Sequence, residues 1–279
     1  MSDKFNPSKP KAGYYKSLPM HDYQEANAIS NSGLLLIERN PADFKWSKDA
    51  PKDPSKSGTS DFGTASHTAL IEPEKFDESV LIGPTKSRDS KGFTEFEREH
   101  GAGKIVLLEN EETQIRIMKA SANAHPTMAK FLSIDSDVEP SIFVLDKDRE
   151  IMRKIRPDLD LHKGGFPLLC DVKTTADISA WRSPLRWKNP LFEFNYGHTA
   201  AYYMDTASIH YGKQIDEYSF LLLQKNIEMG RYPVSVFTIT REELEQYGFF
   251  DRVNNNLDRY AECLHSNNWF GVERFPIFK

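Results

Sequence analysis

Three side chains in the middle of the chain have the types and spacing that phosphodiester hydrolysis needs. Asp158 closes an Arg-Pro-Asp triplet and is followed, after twelve further residues, by Asp171-Val-Lys173. Hydrolysis requires a water nucleophile, neutralised phosphoryl oxygens and help for the leaving group, and one or two divalent cations can supply all three. Magnesium prefers oxygen ligands. Asp158 and Asp171 are therefore predicted to hold it, and Lys173 to touch the attacking water and the scissile phosphate.

The run 166–173 predicts a strand that carries two of these three residues. Residues i and i+2 of a strand point to the same face, so Asp171 and Lys173 project together while Val172 faces the core. Asp158 must then come from a neighbouring strand or its end. A hairpin through 162–165, which contains two glycines, permits this arrangement.

The Asp-x-Lys spacing is a weak signal by itself, because about one such triplet is expected by chance at average composition. The chain has two more, Asp43-Phe-Lys45 in a proline-flanked polar stretch and Asp89-Ser-Lys91 in a charged one. Only the triplet at 171–173 ends an apolar strand and has a Pro-Asp pair upstream. The alternative interpretation is a surface strand end with an i,i+2 salt bridge.

A histidine and a glutamate could complete the metal site. His67 lies among small residues on a predicted helix that could pack closely against the sheet, and a neutral imidazole binds divalent metals. Glu139 precedes an apolar strand and would add a carboxylate. The alternatives are an ordinary core or surface histidine and an exposed acid.

The hydrophobic pattern predicts the elements that must position these residues. Helices are expected from Ser30 or Asn31 to before Pro41, over 63–72, briefly within the charged loop 83–103, over 109–131 with an interruption near Pro126, over 194–207, and over 240–267, where Thr240 and Glu243 form a capping box. Strands are expected over 141–145, 151–155, 166–173, 217–224 and 233–239. This order predicts an α/β fold with a mixed central sheet flanked by helices.

Length and composition set the domain prediction. The 279 residues, 39% hydrophobic, suffice for one large domain. We expect a flexible arm over 1–20, a single domain over 21–279 and a polar loop over 49–60. No apolar run approaches the roughly 20 residues of a membrane-spanning helix, and the polar start lacks a signal peptide, so a cytoplasmic location without membrane contact is expected.

The two cysteines, Cys170 and Cys263, are expected to be reduced in that compartment. Two cysteines cannot hold a four-cysteine cluster unaided, which excludes the nuclease subfamilies that carry one. The net charge of −5 counts mildly against DNA binding, although local basic patches matter more than the total. Lysines at 45, 48, 52 and 56 could form such a patch; the alternative is a solvated loop.

At these residues the chain resembles the RecE-type exonucleases (exonuclease VIII), a branch of the PD-(D/E)XK superfamily that includes the RecB nuclease domain. The resemblance covers roughly residues 25–265. It is carried by Ile29-Ser-Asn-Ser-Gly-Leu34 with Asn40-Pro-Ala-Asp-Phe44, Gly63-Thr-Ala-Ser-His67 through Glu72-Pro-Glu-Lys-Phe76, Arg156-Pro-Asp158, Cys170-Asp-Val-Lys-Thr-Thr-Ala-Asp177 and Gly230-Arg-Tyr-Pro-Val234.

The resemblance implies a PD-(D/E)XK nuclease-like core and a role for each matching residue. His67, Asp158 and Asp171 would be ligands of two Mg²⁺ ions, for which Mn²⁺ can substitute, and the main-chain carbonyl of Val172 would join them. Lys173 would orient or deprotonate the attacking water. Glu139 would correspond to another acidic position of the family.

The chain departs from the pattern on the helix after the motif. Related nucleases often carry Gln-x-x-x-Tyr there, whereas this chain has Thr199 in the glutamine place and Tyr203 in the tyrosine place. His198 and Tyr202 have the same spacing one residue earlier. Tyr203 and Thr199 are predicted DNA contacts; the alternative is an aromatic core stripe.

The resemblance also implies a biological setting. Family members digest linear double-stranded DNA from the 5′ end, assemble as rings, commonly tetramers, and work beside a single-strand annealing protein in phage-type recombination. Ser30, Ser32 and Arg39 are expected to bind a terminal 5′ phosphate at a helix start, and Arg156 to contact DNA. Two alternatives stay open: an endonuclease on the same core, and a catalytically inactive DNA-binding or assembly protein.

Overall fold

The computed structural model describes residues 5–51 and 61–271, which form an α/β fold. Its strands are β1 Gly13–Tyr15, β2 Val80–Ile82, β3 Ile105–Leu107, β4 Asp137–Val138, β5 Ser141–Asp146, β6 Ile151–Ile155, β7 Leu159–Asp160, β8 Leu168–Thr175, β9 Glu217–Gln224 and β10 Val234–Thr240. Its helices are α1 Met20–Glu25, α2 Asn31–Arg39, α3 Pro41–Asp49, α4 Asp61–Ile71, α5 Pro73–Ser79, α6 Lys91–His100, α7 Glu109–Ala124, α8 Pro126–Ser133, α9 Pro190–Glu193, α10 Tyr196–Tyr211, α11 Arg241–Gln246 and α12 Phe249–Ser266. Short 3₁₀ turns cover Leu161–Gly164, Ser179–Arg182 and Arg186–Lys188.

The central sheet has the strand order β10-β9-β8-β7-β4. Strands β8 and β9 are parallel, with Asp171 opposite Phe220, and the remaining pairs are antiparallel. The predicted mixed sheet flanked by helices is confirmed. The hairpin between β7 and β8 turns at Gly165, whose φ of 86° suits glycine.

Two predicted strands lie outside the central sheet. Strands β5 and β6 pair with each other and, through β5, with β1 in a separate three-stranded sheet. Part of the expected flexible arm is therefore ordered: 13–15 form β1 and Leu18 is buried. The composition of 1–20 concealed this because the pairing partner lies more than 120 residues away. Residues 1–4 lie outside the described part of the chain.

Two apolar clusters cover the two faces of the central sheet. On one face, Cys170 and Val172 pack with residues of α4, α7 and α8. On the other, Leu169 and Phe220 pack with α10, α12 and the second sheet. Strand β8 is thus buried on both sides, as a central strand with a parallel neighbour should be.

The predicted helices are present except at the C-terminal end, but α1, α3, α5 and α9 were not predicted. Ser30 caps α2 by accepting from the Gly33 N–H, α7 and α8 are separated before Pro126, and the Thr240 capping box is present. The single helix expected over 240–267 is wrong: α11 ends at Gln246 and α12 starts at Phe249. Gly248 between them has a φ of 78°, a conformation that a helix interior cannot accommodate.

Both cysteines are free and buried, as the reduced state predicts. Within 5–51 and 61–271, none of the helices combines the length and apolar character that crossing a membrane would need.

Candidate active site

The predicted lysine and one aspartate lie side by side at the end of β8. Lys173 Nζ is 2.8 Å from Asp171 Oδ2, and Val172 between them faces the opposite cluster. The two-residue periodicity of a strand produces this arrangement directly. The prediction for these three orientations is confirmed.

Asp158 reaches the same place from the start of β7. Its Oδ2 accepts the Val172 N–H at 2.6 Å, and its own N–H points at Asp171 Oδ1 at 3.5 Å. The short β7, antiparallel to β8, carries the upstream aspartate against the middle of the motif. Asp158, Asp171 and Lys173 therefore converge, as their spacing predicts.

His67 approaches this group from α4. Its Nε2 is 3.0 Å from Asp158 Oδ1, and its Nδ1 is 3.8 Å from Glu139 Oε1. The small residues around His67 in α4 are buried; two of them, Ala65 and Ala69, pack with Phe76, Leu107 and Ile115. His67 is therefore no isolated core histidine.

Glu139 and Arg156 form the outer wall of the site. Arg156 donates to Glu139 Oε2 at 3.2 Å, and the Glu139 N–H donates to the Asp158 carbonyl at 3.0 Å. Glu139 has a φ of 45°, a left-handed conformation that is uncommon for a residue with a side chain. The same guanidinium also donates to Leu18 O and Ser141 Oγ. These bonds give Arg156 a positioning role for Glu139.

Burial places the two carboxylates in electrostatic conflict. Burial raises the pKa of Asp171, and Asp158 adds to this, so the pKa stays above its usual value although Lys173 opposes it. Burial also acts on Asp158, but the His67 ring and the Lys173 ammonium outweigh it and hold that pKa below its usual value. Two close carboxylates that cannot both ionise freely are typical of functional sites.

The two basic groups respond in the opposite sense. Burial alone would lower the pKa of His67 and of Lys173. The Asp158 carboxylate raises that of His67, and Asp171 with Asp158 raises that of Lys173, so both end above their usual values. The Lys173 ammonium also lies 5.5 Å over the Tyr196 ring.

Two buried tyrosines contribute to the surroundings of the carboxylates. Burial raises the pKa of Tyr203, and Tyr23, Asp171 and Asp158 add to the effect. The Tyr203 hydroxyl donates to the Arg156 carbonyl at 3.4 Å. The Tyr218 hydroxyl is buried, and burial together with the Asp171 carboxylate raises its pKa.

The donor set suits a divalent cation in chemistry, but it is not fully assembled. An imidazole and two carboxylates are donors that divalent cations take, and a cation would relieve the charge conflict at Asp171. Among the described residues, however, no group of three His, Cys, Asp or Glu side chains already has metal-binding geometry. Asp158, Asp171 and His67 are the residues that would hold the ion.

The helix α10 uses most of its predicted DNA contacts for packing. The Thr199 hydroxyl donates to the Asn195 carbonyl and accepts from Asn31 at 2.9 Å. His198 is fully buried and bonded to Asn31 and Asn256, and the Tyr202 hydroxyl donates to the Ile29 carbonyl. The alternative of an aromatic core stripe holds for Tyr202, while Tyr203 borders the site.

The expected phosphate site at the start of α2 is only partly assembled. Ser30 and Ser32 line a cavity of about 190 Å³ together with Lys48. Arg39 is at the other end of α2, roughly 12 Å away at 1.5 Å per residue, where it pairs with Asp43. Grouping Arg39 with the two serines was therefore wrong.

The predicted lysine patch is divided. Lys45 pairs with Asp49 at 2.7 Å, and Lys48 lies 5.9 Å over the Phe44 ring. The other two lysines, at 52 and 56, lie outside the described residues.

The sequence patterns did not indicate the aromatic residues beside Lys173. Tyr196 stacks on buried Trp181 with ring centroids 5.3 Å apart, and the exposed Phe194 ring lies 5.8 Å from Tyr196. The density of aromatic and basic residues over 181–196 was the available signal, but no element had been predicted between 176 and 193.

Together, a mixed sheet with a short β7 hairpin and an Asp, Asp, Lys group at the end of β8 define a PD-(D/E)XK-type core. A family model for a PDDEXK-like domain of unknown function (DUF3799) matches residues 30–271. The chain belongs to this family, and through it to the PD-(D/E)XK nuclease superfamily. No curated protein sequence matches the chain.

Proposed function

We propose that the protein is a Mg²⁺-dependent exodeoxyribonuclease that degrades linear double-stranded DNA, in the 5′ to 3′ direction. The observation that carries this proposal is the convergence of Asp158, Asp171 and Lys173 within hydrogen-bond distance. Membership of the PDDEXK-like family suggests a nuclease. Because the family is defined without an assigned activity, the reaction rests on the site.

The chain's own residues would do the following. Asp158 and Asp171, with His67 and the Val172 carbonyl, hold the divalent ions. Bound Mg²⁺ would neutralise the phosphoryl oxygens and supply an activated water. Lys173, held as an ammonium by its ion pair with Asp171, would orient that water by donating to it. Arg156 keeps Glu139 beside His67, and Tyr203 shields the carboxylates from bulk water.

The exonuclease form of the proposal comes from the RecE-type resemblance. The marker segments around Ser30 and Asn40 build the pair α2 and α3, where Gly33 is needed because a Cβ there would lie 2.8 Å from Ile29 and 3.1 Å from Phe44. A ring of subunits around DNA, such as a tetramer, would retain an acidic protein on its substrate by topology as well as by salt-sensitive charge. A cytoplasmic site of action beside a single-strand annealing protein, in recombination, belongs to the same proposal.

The test is digestion of two DNA forms with Mg²⁺ or EDTA. Linear duplex labelled at either strand end, with 5′ phosphate or 5′ hydroxyl, should lose label in Mg²⁺ only, with the 5′-terminal label released first. Covalently closed circular DNA should survive. Nicking of the circle would replace the exonuclease by an endonuclease on the same core. Absence of cleavage of both forms, with DNA still bound, would establish an inactive binding protein.

A further inference from the structure

A pocket of about 370 Å³ begins where the catalytic strand ends. We call it the aromatic pocket; its walls include Thr174, Thr175, Lys188, Phe194, Tyr196 and Lys225. Thr174 directly follows Lys173, and Tyr196 is the ring over which the Lys173 ammonium lies. Its volume falls in the range of small-ligand sites. The pocket therefore adjoins the position where the scissile phosphate would lie.

The aromatic side of the pocket consists of two stacked rings, Trp181 and Tyr196, and a third ring, Phe194, that faces solvent. Trp181 is buried and lies nearly parallel to Tyr196, at an interplanar angle of 10°. Phe194 follows at 5.8 Å from Tyr196 and is 57% exposed. An aromatic face at the rim of a pocket is a surface on which a nucleobase can stack, whatever the base.

The backbone that presents these rings is held in an unusual conformation. Asn195, between Phe194 and Tyr196, has a φ of 58°. Its side chain accepts from Arg252 at 2.7 Å, and Arg252 in turn pairs with Glu38. Left-handed residues of this kind persist where surrounding contacts hold them, and they cluster at ligand sites.

The charge around the pocket suits a polyanion. Lys188 and Lys225 line it, and neither forms an ion pair with any residue in the described ranges. Glu193 also lines the pocket and is the acid among 178–196, so the excess of positive charge comes from Arg182 and Arg186, which are exposed on the same segment. Asp177, also at the rim, is bonded to the Ser179 N–H and hydroxyl. The segment is thus locally basic in a chain of net charge −5.

We propose that the aromatic pocket binds the nucleotide adjacent to the scissile phosphate, with its base unpaired and stacked on Phe194. Lys188 and Lys225 contact the phosphates on either side. This inference rests on the proposed function and extends it: a base that stacks here has left the duplex, so the strand enters the active site with its terminal pair opened. Stacking without base-edge readout predicts cleavage without sequence preference.

The test uses single-stranded oligonucleotides that carry one 2-aminopurine, whose fluorescence falls when the base stacks on an aromatic ring. EDTA prevents cleavage. Phe194→Ala should weaken binding about 5- to 150-fold and abolish the fluorescence change, while Phe194→Trp should retain both. Phe166, 51% exposed at the opposite end of β8, provides the control: Phe166→Ala should behave as the parent.

The lysines are tested by salt dependence. Lys188→Ala and Lys225→Ala should each lower the slope of log affinity against log salt by about 0.7, and Lys213→Ala, at the far end of α10, should leave it unchanged. If Phe194→Ala shows unchanged binding and fluorescence while the parent cleaves DNA, the proposed base-binding role of the pocket is wrong and the proposed nuclease activity stands. A parent that fails to cleave, yet binds through Phe194, overturns the nuclease but not the pocket.

Discussion

Two aspartates that stand two residues apart, Asp158 and Asp160, each contact a histidine, yet their surroundings differ. Asp158 Oδ1 lies 3.0 Å from His67 Nε2, and Asp160 Oδ1 lies 2.7 Å from His162 Nδ1. Sequence spacing alone would make them equivalent candidates. The two aspartates differ in the other groups that surround each carboxylate.

Asp160 is enclosed by hydrogen-bond donors. Its Oδ2 accepts from the hydroxyls of Tyr14 and Tyr211, and its Oδ1 also accepts the His162 N–H at 3.1 Å. The His162 ring stacks on Tyr211 with centroids 3.6 Å apart. Burial alone would raise the pKa of Asp160, but the bonds from His162 and Tyr211 outweigh it and lower that pKa. The protein's own hydrogen bonds therefore keep the Asp160 carboxylate ionised.

Asp158 instead shares its surroundings with a second buried carboxylate and an ammonium. Burial and Asp158 together raise the pKa of Asp171, so the protein leaves part of the negative charge uncompensated. Both aspartates are thus hydrogen-bonded and have lowered pKa values, but Asp158 adjoins Asp171, a buried carboxylate whose pKa is raised. A carboxylate of that kind beside the pair is what favours a functional role for Asp158 over Asp160.

The largest effect is expected from Asp171→Asn. Removing this charge should reduce cleavage at saturating Mg²⁺ by about a thousandfold or more, since a metal ion supplies several kcal/mol of stabilisation. DNA binding, measured by gel shift on the same preparation, should stay equal or tighten because phosphate repulsion falls. Retained cleavage in a folded Asp171→Asn protein would remove Asp171 from the mechanism.

Lys173→Met should follow, with a loss in kcat of about 10²- to 10³-fold, the usual size for one positioned donor that stabilises the transition state. The long apolar side chain keeps the packing against Tyr196 but removes the ammonium. Single-turnover kinetics on linear duplex measures this loss separately from product release. Parent-like rates would show that Lys173 is only the partner of a strand-end salt bridge.

Asp160→Asn is the matched change in the other Asp–His pair, and it should affect stability rather than chemistry. Losing charge-assisted bonds should lower the free energy of unfolding at pH 7 by about 1.5–3 kcal/mol. Because folding depresses this pKa, the ionised carboxylate stabilises the fold above its unfolded value of 3.8 and ceases to do so as pH falls through the folded value. Urea unfolding from pH 7 to 3 should show the gap between parent and variant closing. A gap that persists in acid would contradict this.

The smallest effect is expected from the histidines. His67→Ala should raise the Mg²⁺ concentration for half-maximal activity by at least about tenfold, a loss seen even for outer partners of metal ligands. His162→Ala should leave that concentration unchanged while lowering the melting temperature. If both variants required the same Mg²⁺ concentration for half-maximal activity, the two Asp–His pairs would not differ in metal binding.

Local patterns predicted the centre of the site because its geometry is local. Asp171 and Lys173 depend only on strand periodicity, and Asp158 depends on a short hairpin return. The two-residue alternation of strand β8 and the Pro-Asp pair were therefore sufficient to predict this part of the site, together with the small residues around His67.

The remainder depended on contacts between distant segments. Tyr14 reaches Asp160 across 146 residues, and Arg156 bonds Leu18 across 138; no periodicity encodes such pairs. Tyr196 lies beside Lys173 because α10 packs against the same face of the sheet. The break at Gly248, by contrast, was indicated in the sequence by a glycine inside the predicted helix.

The most direct test compares Mg²⁺-dependent release of labelled nucleotides from linear duplex DNA by the parent, Asp158→Asn and Asp160→Asn, with each protein first shown to be folded. The parent and Asp160→Asn should release nucleotides at rates of the same order, and Asp158→Asn should fall to the level seen in EDTA. Cleavage by Asp158→Asn at the parental rate, or equal loss in both folded variants, would contradict the assignment of the catalytic centre to the end of β8.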